Sequence, residues 1–123
     1  MADTYNLVGK MVVSDAAGDN VEIIPFDASV TGAEGIHHRY SFAATQTATA
    51  ISLGTITTAT NLYIKVSGTI TNSPTFKLNG GTTAITVNTG GEFHLFNTAV
   101  TGLVLDWTRN SDTLIVEILA SGA

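Results

Sequence analysis

The chain has 123 residues, 44% hydrophobic and only 12% charged, with five basic against ten acidic side chains and a net charge of −5. That length supports one domain. The apolar share excludes a disordered chain, and the acidic balance excludes a nucleic-acid binder working through bulk positive charge. The lack of cysteine excludes disulfides and thiolate chemistry. Twenty Thr and 29 Val, Ile and Leu fit a pleated sheet, while 12 Gly and 8 Asn supply tight turns, so the composition predicts an all-β protein. The start, Met1 to Asn6, has neither a basic nor an apolar leader region, so synthesis in the cytoplasm is expected. No apolar run approaches the roughly 20 residues of a spanning helix, and no membrane association is expected.

Residues 1–35 read differently from the rest. Tyr5 to Val13 is an apolar strand, Ser14 to Asn20 a turn cluster, and Val21 to Phe26 a second short strand with Pro25 at its end or on an edge. Asp27 to Gly35 reads as a loop. Two arrangements fit: an N-terminal arm, or Tyr5 to Val13 added to the main sheet as an edge strand. The arm is preferred, because a domain of this size needs little irregular chain for its own core. The expected division is therefore an arm and loop over 1–35 and a β-sandwich over 36–123, within a single domain.

From Ile36 the texture is regular. His37 to Phe42 and Ala48 to Leu53 are predicted strands. Asn61 to Ile70 alternates with period two, Leu62, Ile64, Val66 and Ile70 inward, and Tyr63, Lys65, Ser67 and Thr69 outward. Pro74 to Leu78 leads into Asn79-Gly80, a type I′ hairpin signal. Thr83 to Asn88 and Glu92 to Phe96 follow, with turns at Thr89 to Gly91 and Asn97 to Ala99. Leu103 to Trp107 alternates, and Leu114 to Leu119 ends the series. Turn signals about every 10 residues predict eight to ten strands in an antiparallel, jelly-roll-like sandwich with no helix beyond two turns. The last strand is apolar on both faces, Leu114, Val116 and Ile118 on one and Ile115 and Leu119 on the other. A strand of that kind is covered by an arm or by a second subunit, and the subunit is the preferred cover.

Candidate chemistry is sparse. His37 and His38 are adjacent on a strand and point to opposite faces, so they do not share a metal. Glu92 and His94, at i and i+2, share a face, but a solvent-facing strand explains them as well. Asp15, Asp19 and Asn20 lack the spacing of an EF-hand and read as turn residues. No nucleophile elbow, P-loop or dinucleotide fingerprint is present, and no enzyme activity is expected. Trp107 and Tyr63 are candidates for a sugar-stacking platform, although Trp107 shares its face with Leu103 and Leu105 and so reads as core. No catalytic, cofactor-binding or metal-ligating residue is assigned.

Three segments carry a likeness to a known group. Asn61 to Val66, Phe76 to Ile85 (with its Asn-Gly-Gly-Thr-Thr turn) and Gly91 to Leu103 resemble small β-rich virion proteins of tailed bacteriophages. The likeness covers roughly the C-terminal half and is one of texture and phrase order. It implies a non-enzymatic virion structural protein, made in the host cytoplasm, of the capsid decoration or cement type. Its partner would be the major capsid protein, and it would be a homo-oligomer, a dimer or a trimer, without cofactor. The alternative is a receptor- or glycan-binding module on a tail or head fibre. Expected partner contacts are Tyr5, Leu7 and Val8 on the arm, with His37, His38 and Arg39 beside them. Expected self-association contacts are Ile115 and Leu119.

Overall fold

The computed structural model describes residues 3–14, 16–18, 20–32 and 34–123. Ten strands and no helix are found among them: β1 Asp3–Ser14, β2 Asn20–Gly32, β3 Glu34–Phe42, β4 Gln46–Ala50, β5 Ala59–Ser67, β6 Thr75–Leu78, β7 Ile85–Thr86, β8 Glu92–Val100, β9 Leu103–Trp107 and β10 Leu114–Gly122. No helix among the described residues is long and apolar enough to cross a membrane.

Eight strands form a sandwich, as composition and turn spacing predict. One sheet has the order β3-β10-β5-β8, the other β4-β9-β6-β7, and all pairs are antiparallel. The pairs β3 with β10, β4 with β9, β5 with β8 and β6 with β7 are nested about the hairpin at Asn79-Gly80. At that turn Asn79 has φ +55° and Gly80 φ +69°, the two positive angles of a type I′ turn, and the Gly81 N–H donates to the Leu78 carbonyl at 2.9 Å. The ladder resumes only at Ile85, so β7 is shorter than Thr83 to Asn88.

The core lies between the sheets. Leu62, Ile64 and Val66 of β5 meet Phe76, Leu103, Leu105 and Trp107 of the second sheet, with Leu114, Val116, Ile118 and Ala120 of β10 completing it. The inward and outward faces of β5 and β10 follow the predicted alternation. Among the described residues no buried side-chain polar atom lacks a partner. Trp107, for example, donates its Nε1–H to the Asn72 carbonyl at 3.0 Å.

Two expectations are corrected. Asn97 to Ala99 is not a turn between strands but part of β8. Asn97 takes φ +55°, and the ladder with β5 slips there, Asn61 facing Phe96 and Ala59 facing Val100, which is a bulge. The loop expected over Asp27 to Gly35 is largely strand. Residues Asp27 to Gly32 continue β2 and pair with Val8 to Asp3 of β1. Pro25 sits inside β2, opposite Lys10, and takes the second of its two expected places, an edge strand. A two-stranded sheet leaves one edge of each strand open, so a missing N–H on that side breaks no ladder.

β1 and β2 thus form a separate two-stranded ribbon, and the described pairs join it to no sandwich strand. The edge-strand alternative for Tyr5 to Val13 fails for that reason. The turn Ala16 to Gly18 closes the ribbon's far end, with Gly18 at φ +87°.

Candidate functional site

The outer face of the β3-β10-β5-β8 sheet, with the ribbon laid over one end of it, is the most differentiated surface of the molecule. Register builds it in rows. The first row runs Arg39, Glu117, Lys65, Glu92 across the four strands, a ladder of alternating charge. The second runs His37, Leu119, Tyr63, His94, and the third Gly35, Ser121, Asn61, Phe96. Exposed cross-strand pairs of opposite charge each contribute a fraction of a kcal/mol, about 0.2–1, so the charge row favours register more than stability.

Where the second row meets the first, side chains interlock. The Tyr63 hydroxyl donates to Glu92 Oε1 at 3.0 Å, His94 Nε2 lies 3.4 Å from Glu92 Oε2, and the Tyr63 and His94 ring centroids are 4.7 Å apart. The hydrogen bond from Tyr63, then that from His94, holds the Glu92 carboxyl below its ordinary value. Burial, then the bond to Glu92, pushes the Tyr63 hydroxyl up. On the far edge His37 Nε2 lies 2.7 Å from Glu117 Oε2.

The ribbon covers the third row. β2 touches β10, β5 and β8. Beneath it Ser121 and Asn61 are buried, and the Asn61 Nδ2–H donates to Ser121 Oγ at 2.6 Å. The contact is incomplete. A half-open cleft of about 270 Å³ separates Asn6 and Leu7 from a floor that includes Tyr63, His94, Phe96 and Leu119.

The predicted site residues fall out as follows. Leu7 is half-buried against the cleft, and Val8 stands 68% exposed beside Glu92 and His94. The backbone of Tyr5 pairs with Val30, and its side chain lies outside the described part. His37 and Arg39 point outward, whereas His38 points inward, half-buried, with Nδ1 3.0 Å from the Tyr40 hydroxyl. His38 therefore lies on the opposite strand face from His37 and Arg39, by the alternation expected of adjacent strand residues. Ile115 and Leu119 both face outward, Ile115 half-buried and Leu119 42% exposed. Trp107 and Tyr63 form no platform, since Trp107 is in the core and Tyr63 on the outer face. Glu92 and His94 share a face as expected, and no third acidic, histidine or cysteine side chain joins them among the described residues. Asp15 and Asp19 lie outside the described residues.

Comparison of the chain with protein-family models, with curated protein sequences and with solved structures gives no match. The site is therefore read from its own geometry. The charge row and the buried Asn61–Ser121 pair were not singled out in the sequence. Their members stand at positions 39, 65, 92 and 117, and 61 and 121, and only strand order brings them together. The one available signal was the polar half of each alternation.

Proposed function

We propose that this chain is a non-enzymatic structural protein of a bacteriophage virion, a decoration or cement protein that binds the outer shell and bridges its subunits. The observation that carries the reading is the ribbon. It is an antiparallel pair that joins no sandwich ladder among the described residues, rests on β10, β5 and β8, and leaves Val8, Met11 and Val12 exposed. Val8 and Val12 share one face with Lys10 between them, two apolar anchors suited to a shallow groove on a capsid protein. The nested strand pairs support a jelly roll for the sandwich. Its low charge and Thr-rich surface suit a flat contact repeated over many copies, where avidity makes up for modest single-site affinity. Homo-oligomerisation belongs to the same reading, with Leu119 and Ile115 on the exposed outer face.

Quantitative mass spectrometry of purified particles tests the role. Hundreds of copies support the shell, and a dozen or fewer refute it in favour of the tail. Rebinding of a Val8→Asp, Val12→Asp double variant to stripped particles tests the ribbon, and unchanged affinity refutes that assignment. The alternative, a receptor- or glycan-binding module, has one observation in its favour. The Tyr63 ring, in tilted contact with His94 and tied to the Glu92 carboxylate at the cleft, offers an aromatic face beside hydrogen-bonding groups. Glycan binding lost in Tyr63→Ala would support it.

A further inference from the structure

We propose that the ribbon of one molecule docks on the next copy of this chain, with Met11 entering the neighbour's cleft. The inference narrows the self-association above to Leu119, without Ile115, and does not rest on the virion role. Twelve residues at about 3.4 Å each make β1 about 40 Å long, whereas the outermost strands of a four-stranded sheet are about 14 Å apart. The ribbon crosses β10, β5 and β8, and β8 is the edge of its sheet. Leu7 and Val8 lie beside Glu92 and His94 of that edge strand. Met11, about 14 Å farther out than Leu7, is therefore past the edge.

Leu7 and Met11 are four residues apart and share a ribbon face. At its base this face covers the chain's own sheet, and farther out it presents Met11, 63% exposed. An isolated two-stranded ribbon is marginal in water, so its outer half gains most from a surface like the one its base already meets. Each copy carries that surface, and it is underfilled. The cleft of about 270 Å³ has Leu7 above and Leu119, Phe96 and Tyr63 below. An apolar cavity of about 150 Å³ already holds a benzene-sized group, and methionine is flexible enough to follow an irregular wall. One copy thus supplies the missing occupant of the next. The contact joins two different patches, Met11 on one molecule and Leu119 on the other, so it closes into a ring or runs on as a chain.

Multi-angle light scattering on the full-length protein at tens of micromolar tests this. The wild type is expected to associate. Met11→Glu and Leu119→Lys should each be monomeric, with circular dichroism and melting temperature showing an intact fold. Met11→Ser serves where the glutamate variant does not fold. Mixing Met11→Glu with Leu119→Lys should restore a dimer, because one intact Met11 meets one intact cleft. Ile115→Lys, beyond the charge row, should leave association unchanged. A monomeric wild type overturns both self-association and the docking. Wild-type association in Met11→Glu, or a mixture that stays monomeric, overturns the docking alone. Association lost in Ile115→Lys but kept in Met11→Glu would instead place the contact on the outer face, away from the ribbon.

Discussion

The sandwich and the ribbon are built from the same residue types and held by different forces. In the sandwich, Val, Ile and Leu alternate with Thr and Ser, and every inward row meets another sheet. In the ribbon, Val8, Met11 and Val12 are as apolar as anything in the core, yet they face solvent. Apolar area contributes only when it leaves water. The strands of the sandwich therefore share one cooperative core. The ribbon depends on its own ladder, its base contact and whatever covers its outer half.

Substitutions should separate the two regions. The largest effect is expected at Phe76, which is fully buried between the sheets. Phe76→Ala should cost about 3–5 kcal/mol, read as a drop in the denaturant midpoint, and a change below about 1 kcal/mol would break the picture of a tight core. Amide hydrogen exchange should show the same contrast within one molecule. Protection in β10, paired on both sides, should exceed that in β1 by about 100-fold or more, and equal protection would mean that the ribbon unfolds only with the sandwich. Gly68 comes next. It has φ +96°, and a Cβ there would stand 2.5 Å from the Thr113 carbonyl oxygen. Gly68→Ala should cost about 1–3 kcal/mol, because neither the backbone angle nor a backbone oxygen yields easily. By contrast Val12→Ala should change the stability of the monomer by no more than about 0.5 kcal/mol.

The smallest effect is in the pH dependence of the outer face. Glu92 and Asp112 both titrate below their ordinary values, Glu92 through Tyr63 and His94, and Asp112 through the Thr71 backbone N–H. A carboxyl depressed in the folded state stabilises it above the unfolded pKa, and the contribution is lost as pH falls through the folded value. The melting temperature should therefore fall on acidification below the ordinary carboxyl values of 4.5 and 3.8. The difference between the wild type and Glu92→Gln should shrink over the same range. A constant difference would show that the Tyr63–Glu92 bond does not persist in solution.

Period-two alternation made β5, β9 and β10 and their inward faces legible from Leu62, Ile64, Val66, Leu103, Leu105, Leu114 and Val116, because a strand alternates its side chains whatever it pairs with. Asn79-Gly80 marked its turn for an equally local reason, the positive φ at both positions. Asn97 uses the same local freedom and was misread, because a bulge and a turn make the same demand on one residue and differ only in what the next strand does. The ribbon was half legible. Val21 to Phe26 read as strand, but Asp27 to Gly32 carries Asp, Ser, Thr and Gly and has no strand signal of its own. Pairing with Asp3 to Val8 decides its conformation.

The residues by themselves thus determined an all-β chain, the position of most strands, the inward face of each, and the absence of any recognisable catalytic motif. Those properties follow from local backbone preference and from the chemistry a side chain carries. Strand order decided the rest. It set Arg39, Glu117, Lys65 and Glu92 in one row, buried Asn61 with Ser121, sent His38 inward, and left Leu119 beneath the cleft and Met11 exposed on the ribbon. These are contacts between residues tens of positions apart. Their energies depend on which strands lie side by side, and no local pattern encodes that.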